Sequence, residues 1–230
     1  MTLQEIMVHL RCSVLRDTAI PQLWSDTELL RFINQAQMEF AIRTHNIVDD
    51  TTDEYTTFDT VAGQAIYPLS KKIVHVSEVG VVEYDLTDPQ APVETNYTVL
   101  RSRTRNQLRR RYSKGCPNYY TLQVRSHSIR FDPIPDDAYT IEMVVARKPV
   151  RDMANEKDVP EIDEEWHLNL CDFAAFRALT NNDPEGANMS AAKEFRDLWD
   201  TAVRDCKRQM SVLRASETPR ARVNWTGKVR

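Results

Sequence analysis

Val159–Leu179 reads VPEIDEEWHLNLCDFAAFRAL, and this stretch decides the fold. Pro160 ends whatever precedes it, and Asp163 is placed to cap a helix. Glu164 and Glu165 then fall in a first turn, where the helix dipole favours negative charge. Beyond them the segment turns apolar almost all round, with Trp166, Leu168, Leu170, Cys171, Phe173, Ala174, Ala175, Phe176, Ala178 and Leu179. A helix that is hydrophobic on more than one stripe is buried on more than one side. The stretch is therefore the hub of a helical layer, and it carries no chemistry of its own.

The partners of this hub lie on both sides of it in sequence. Downstream, Asn181–Gly186 reads as a turn, followed by a long amphipathic helix from about Ala187 to Ala215 with Phe195, Trp199, Ala202, Cys206, Met210 and Leu213 on one face. Upstream, Thr2 with Glu5 forms a capping box before Leu3, Ile6, Met7, Leu10 and Val14, and this first helix is expected to end near Asp17. Ser25 with Glu28 forms a second box, opening a helix through Leu29, Leu30, Ile33, Ala36 and Phe40 to about His45. The two make an αα-hairpin.

Between the two helix pairs the period changes. Short alternating or β-branched runs predict strands at Tyr55–Phe58, Ala65–Pro68, Ile73–Tyr84, Tyr119–Val124, Ser128–Phe131 and Tyr139–Arg147. Turn signals separate them at Ala62–Gly63, Asp88–Pro89, Gly115–Pro117 and Asp132–Asp137. Arg103–Tyr112 has no strand pattern and reads as one short helix. Neither helix pair buries both faces alone, so the class is α+β: a four-helix bundle from residues 1–50 and 151–215, with a small antiparallel β sandwich or barrel, residues 51–150, inserted into it. The ends of the insert, near Asp50 and Asp152, should lie close together. Residues 216–230 have no period and form a flexible C-terminal tail.

The totals bound the function. At 230 residues, 41% hydrophobic and 28% charged, the composition is that of a soluble globular protein. No apolar run approaches the roughly 20 residues that span a bilayer, so no membrane is expected. The N-terminus lacks the basic region and cleavage site of a signal peptide. Cys12, Cys116, Cys171 and Cys206 are far apart and read as buried reduced thiols, not as a disulfide frame or zinc site. The net charge of −4 is unevenly spread: residues 1–50 carry 4 basic and 7 acidic side chains, residues 151–215 carry 9 and 14, and residues 216–230 carry 4 and 1. Within the nearly balanced middle, the segment from Arg101 to Lys114 holds Arg101, Arg103, Arg105, Arg109, Arg110, Arg111 and Lys114 with no acid among them.

No catalytic constellation accompanies these charges. Glu164 and His167 have the spacing of one half of a di-metal carboxylate site, but the other helices offer no second Glu-x-x-His, and the pair reads as a solvated first turn. His9, His45, His75 and His127 are scattered without a nucleophile or acid at a recognised spacing. Five glycines and no phosphate-cradling loop exclude the known nucleotide folds. No cofactor, metal or enzymatic activity is therefore expected. The basic island has three readings: a protein interface in which arginine forks meet carboxylates, a solvated surface, or a contact to nucleic-acid phosphates. An acidic helical unit speaks against a dedicated DNA binder. In the tail, Trp225 is costly to leave in water, which points to a segment that orders on a partner.

The order of parts has a precedent. WSDTELLRFINQAQMEFA (24–41), LRRRYSKGCPNYYTL (108–122), IRFDPIPDDAYTIEMVVARKP (129–149) and the hub stretch together resemble the head-to-tail adaptor, or connector, proteins of tailed bacteriophages, the short-tailed ones especially. The resemblance spans about residues 22 to 200 and is weakest over 51–100. It implies a non-enzymatic structural protein of the virion, assembled in the host cytoplasm and placed at the portal vertex. About a dozen copies would form a homo-oligomeric ring with a heterologous interface. The ring would dock on the portal protein, receive the tail nozzle or tail tube protein, and let double-stranded DNA pass without binding it specifically. In that reading Arg220, Arg222, Trp225 and Lys228 belong to a portal-facing arm. Arg101, Arg103, Arg105, Arg109, Arg110, Arg111 and Lys114 would serve a subunit interface or the channel. The alternative is a nucleic-acid-binding protein that uses the Arg101–Lys114 island.

Overall fold

The computed structural model describes residues 1–85, 93–104, 113–181 and 189–217. Its helices are α1 (Leu3–Val8), α2 (Asp26–Thr44), the single turn α3 (Asp53–Thr56), α4 (Asn169–Asn181) and α5 (Met189–Glu217). Its strands are β1 (Val48–Asp49), β2 (Thr57–Asp59), β3 (Ile66–Pro68), β4 (Ile73–Asp85), β5 (Val93–Val99), β6 (Arg101–Ser102), β7 (Tyr119–Gln123), β8 (Ser128–Asp132) and β9 (Thr140–Arg147). The class is mixed α+β. Neither a regular four-helix bundle nor a barrel is displayed by the described residues.

Both capping boxes form. The Glu5 amide donates to Thr2 Oγ1 while the Thr2 amide donates to Glu5 Oε2, and Ser25 and Glu28 do the same at the start of α2. These bonds satisfy amides that have no partner inside the helix. The first helix departs from the expected single run to Asp17, because α1 widens at His9 into a π-helical segment, His9–Val14, with the Leu15 amide on the Leu10 carbonyl at 2.9 Å. The wider turn shifts which side chains face inward: Leu10 and Arg11 are buried and Cys12 is exposed. Cys116 is exposed too, so only Cys171 and Cys206 are the buried thiols expected.

Buried Arg11 fastens the connection to α2. Its guanidinium reaches Asp17 at 2.7 Å, the Trp24 carbonyl at 3.0 Å and Asp26 at 2.6 Å, while Asp17 also accepts from the Leu23 and Trp24 amides. A charge this deep is tolerated because both terminal nitrogens reach acceptors, two of them carboxylates.

The hub begins later than its sequence suggests. Asp163 makes no side-chain cap; the chain runs through a 3₁₀ turn, Glu164–Trp166, and the α-helix starts only at Asn169. The tighter turn is recorded in successive bonds from the amides of Trp166, His167, Leu170 and Cys171 to carbonyls three residues earlier. From there Leu170, Ala174, Ala175 and Ala178 are buried against Ile6, Leu10, Leu29, Ile33, Phe40, Trp199 and Cys206 in one apolar core. Phe40 lies at its centre, 5.3 Å from Trp199 and 5.7 Å from Trp166 between ring centroids. The expected turn after Asn181 falls on residues 182–188, outside the described set.

The β region has its own core and two sheets. One runs β1–β9–β4–β5, with β2 also on β9; the other runs β3–β8–β7–β6. Val79, Val81, Ile141, Met143 and Val145 of the first sheet share an apolar cluster with Tyr67, Tyr120, Ile129 and Phe131 of the second. Among the described residues every pairing of two strands is antiparallel except β6 with β7, which is parallel and corrects the purely antiparallel expectation. Tyr55, expected in a strand, sits in α3, and the strand begins at Thr57. β7 ends at Gln123 because Val124–Ser126 turns as 3₁₀. The strands β1, β5 and β6 have no counterpart in the sequence reading, and the turn expected at Asp88–Pro89 lies outside the described residues.

The chain enters and leaves the β region at one place. Val48 pairs with Ala146, and the Arg147 amide donates to the Ile47 carbonyl at 3.0 Å. Beyond β9, Asn34 of α2 exchanges two side-chain bonds of 2.9 Å with the backbone of Met153, returning the chain to the helices.

Candidate functional site

The two flanks of the basic island are fastened to the second sheet. On one side the Arg101 amide donates to the Asn118 carbonyl and the Arg103 amide to the Tyr120 carbonyl, and Thr121 Oγ1 returns a bond of 2.7 Å to the Arg103 carbonyl. With its backbone held, Arg103 lays its guanidinium over Tyr119, 3.2 Å from the ring centroid, and brings Nη1 to 3.8 Å from Asp132. A cation over an aromatic face beside a carboxylate is engaged within the subunit. On the other side Lys114 bridges to Ile134, and the Gly115 amide donates to the Ile134 carbonyl at 3.0 Å. Arg101 and Lys114 are exposed. Arg103 and Thr104 carry no helix, so the helix expected from Arg103 does not begin there; the rest of it, with Arg105, Arg109, Arg110 and Arg111, lies outside the described residues.

Arg220, Arg222, Trp225 and Lys228 also lie outside them, but the root of the tail is seen. The buried face of α5 runs through Ala192, Trp199, Ala202, Val203 and Cys206, with Met210 still packed on the helical core and Val212 and Leu213 exposed. Beyond them Arg214 Nη2 donates to the His45 carbonyl at 3.3 Å, and the His45 ring stacks on His75 with centroids 5.2 Å apart and planes 7° from parallel. Partial burial, followed for His45 by the His75 ring and Arg214 and for His75 by Arg214, pushes both imidazoles below their ordinary range, although the His75 side chain stays exposed to solvent. Sequence reasoning left these histidines scattered. They are thirty positions apart on different elements, and no local signal joins them.

A second convergence was equally silent in the sequence. Arg147 Nε lies 2.5 Å from Asp49 Oδ2, and its Nη1 lies 2.5 Å from Glu161 Oε2. Burial alone would raise the Asp49 carboxyl, but the guanidinium and the hydrogen bonds from Thr52 and Thr51 outweigh it and hold the group at about 2. Glu161 Oε1 in turn accepts from the Val150 amide at 2.7 Å.

Glu164 and His167 do not act as a pair of solvated groups. Glu164 is exposed, whereas His167 is 2% exposed, with Nε2 2.9 Å from the Ile162 carbonyl and Nδ1 3.0 Å from the Met1 ammonium. The ammonium donates, so Nδ1 is the bare nitrogen and Nε2 carries the proton. Among the described residues no group of three or more His, Cys, Asp or Glu is arranged to hold a metal ion. The spaces among the described residues include a pocket of about 270 Å³ between Gln37, Val150, Met153 and Glu161, one of about 170 Å³ at the end of the two sheets, bordered by Leu69, Ile73, His75, Leu122 and His127, and a shallow groove along α2. No helix among the described residues is long and apolar enough to cross a membrane.

Among the described residues, Arg11 with Asp17 and Arg147 with Asp49 and Glu161 thus lock parts of the molecule together. Comparison with known proteins supplies the class to which such a molecule belongs, the head–tail adaptors of phage virions. Residues 1–223 match the family described as SU10 adaptor protein, and the chain belongs to that family. No curated protein matches the chain.

Proposed function

We propose that the protein is a structural, non-enzymatic component that forms a ring between the portal at the capsid vertex and the tail, with a central passage for the genome. The observation that carries this reading is the family match, which runs through the helices, the β region and into the tail. In it, residues 1–50 and 151–215 act as one bundle-like domain, residues 51–150 as an inserted β domain of two facing sheets, and residues 216–230 as a C-terminal extension. Two local cores, one of helical and one of sheet residues, support that division.

The extension, with Arg220, Arg222, Trp225 and Lys228, is the proposed portal-facing arm. Arg101, Arg105, Arg109, Arg110, Arg111 and Lys114 are proposed to face a neighbouring subunit or the channel, with Arg103 holding the base of the island in place. The partners are further copies of the chain, about a dozen in a closed ring, the portal, a tail nozzle or tube protein, and double-stranded DNA in transit. The location is the portal vertex, reached after assembly in the host cytoplasm.

Replacing Arg109, Arg110 and Arg111 with Glu tests the island. Weakened ring assembly supports the interface reading, whereas intact rings with failed DNA retention or ejection place these residues on the channel. Filter binding of the unmodified protein to duplex DNA over a salt series tests the nucleic-acid alternative, because neutralising several phosphates gives a steep salt slope. The adaptor reading expects weak binding with a shallow slope.

A further inference from the structure

Helix α2 faces the segment that leaves the β region, and two of its amide side chains meet that segment differently. Asn34 exchanges both ends of its amide with the Met153 backbone, at 2.9 Å each. One turn on, Gln37 is 2% exposed, and its Oε1 has no hydrogen-bond partner among the described residues. A buried acceptor left bare costs free energy that a bonded one does not. Gln37 lines the cavity of about 270 Å³ between α2 and the chain from Val150 to Glu161.

Asp152, Asp158 and Glu161 bring three carboxylates to the same lining, against the single guanidinium of Arg151. Glu161 is already satisfied by Arg147 and the Val150 amide, and Arg147 is shared with Asp49. Lys72 donates to the Val150 carbonyl. Asp158 takes the Ala154 and Asn155 amides on Oδ2, which leaves Oδ1 out of those bonds. Asp152 is exposed and has no ion pair among the described residues. Val150 and Val159, also in the lining, are exposed apolar side chains. No three of the acidic groups are arranged for a metal ion. The cavity instead matches an organic cation on an apolar stem, with its methylenes against valine and its charge among acceptors. Arginine fits better than lysine, because its planar fork offers several donors in fixed directions.

Asp152 also borders the groove along α2, so cavity and groove meet at one exposed carboxylate. A partner lying against α2 therefore passes the mouth of the cavity. A second copy of the chain carries the complementary group. Arg101 is exposed on β6, an edge strand of the second sheet, and its amide is held on the Asn118 carbonyl. It opens the segment of seven cations and no acid.

We propose that the cavity beside Gln37 receives an arginine side chain of a neighbouring copy, Arg101, so that the acceptor left bare in the free subunit is satisfied on assembly. Such a contact presupposes the ring proposed above, in which one face of each subunit meets a different face of the next. It makes α2 and the Val150–Glu161 segment the receiving face and the edge of the second sheet the inserting one.

Sedimentation velocity of the full chain, alone and with the portal, follows ring assembly. Urea unfolding at a concentration too low for assembly reads the free subunit. Gln37→Met keeps the volume and removes the bare acceptor, so the free subunit should unfold at the same or a higher urea concentration. Its assembly should need roughly tenfold more protein, as should that of Asp152→Arg. Adding Arg101→Asp to Asp152→Arg should restore most of the loss, because the two charges then meet reversed. Variants that assemble like the unmodified protein would overturn the proposal and leave a cavity filled by water. A less stable free subunit in Gln37→Met would overturn it too, since the amide would then serve the fold. Closed rings that lose only the portal would make the portal the occupant, and failure of Arg101→Asp to restore Asp152→Arg would remove Arg101; either result contradicts the proposal. If the unmodified protein forms no ring, the ring proposal fails and this site with it, whereas rings unaffected by any variant remove the site alone.

Discussion

The Nε of Arg147 lies 2.5 Å from Oδ2 of Asp49, so the last residue of β9 is tied to the strand by which the chain enters the β region. The second arm of the same guanidinium reaches Glu161 on the segment leading back to the hub helix. One side chain thus joins the start of the β region, its end and the return to the helices. Both Asp49 and Arg147 are largely shielded, with side chains 4% and 14% exposed, so removing one leaves the other charge in a poor solvent.

Arg147→Met should destabilise the protein by about 3 kcal/mol, since it strands two carboxylates. Urea unfolding followed by circular dichroism measures it. Arg147→Lys should recover only part of the loss, because an ammonium cannot reach two carboxylates with separate arms of one fork. A loss below about 0.5 kcal/mol, the size expected of an exposed pair, would show that the clamp is not a buried one.

The same clamp sets an acid limit. The Asp49 carboxyl is held at about 2, against 3.8 for the free group. A depressed carboxyl adds stability above its unfolded value and loses it as pH falls through its folded value. The stabilisation of about 2–3 kcal/mol should therefore be complete above pH ~4 and fade toward pH ~2. In urea unfolding at a series of pH values, Asp49→Asn should be less stable than the unmodified protein near neutrality, with the gap closing toward pH ~2. A gap that stays constant through that window would contradict the assignment.

Gly80 carries the close approach of β4 and β5. A Cβ there would stand 2.3 Å from the ring of Tyr97, whose hydroxyl donates to Glu78 at 2.9 Å. Gly80→Ala should displace that ring, break the bond to Glu78 and cost about 1–3 kcal/mol, the range of overpacking. Combining it with Tyr97→Ala should cost less than the two single changes added together. Strict additivity in a double-mutant cycle would mean that the ring does not press on this position.

Removing Glu217–Arg230 should leave the subunit folded, since the described core ends with α5, and should abolish binding to the portal. Thermal unfolding reads the first expectation and co-sedimentation with portal rings the second. Co-assembly at full strength by the truncated protein would remove the extension from the portal contact.

Features fixed by neighbouring residues were legible in the sequence. The boxes Thr2–Glu5 and Ser25–Glu28 are local exchanges between side chain and backbone, and they start both helices as read. The long strands β4 and β9 have β-branched runs that suit a pleated, half-buried surface, and they lie where expected. What needed the third dimension was not legible. Val48–Asp49 is a strand only because β9 lies beside it, and Arg101–Ser102 only because β7 does. Tyr55 has a strand-former's side chain but sits in a one-turn helix that the run 51–56 closes on itself. Nothing in His9–Val14 announces the wider turn that exposes Cys12 and buries Arg11.

The surfaces were legible as charge and illegible as geometry. The basic island stood out by composition, yet only the fold shows that Arg103 is held by Tyr119 and Asp132 while Arg101 and Lys114 face solvent. The acidic turn of the hub drew attention to Glu164 and His167, but its histidine is buried and occupied by the chain's own backbone and amino group. The junctions that hold the molecule together, Asp49 with Arg147 and His45 with His75, join positions far apart in sequence, and no spacing rule links them.

The central claim is that copies of this chain close into a ring that sits on the portal. Electron microscopy of the protein alone and mixed with its portal tests it most directly. The account predicts closed rings coaxial with the portal, with an open centre and density from each subunit's C-terminal end reaching the portal. Subunits that remain single in the presence of the portal, or that bind it without closing a ring, would contradict it.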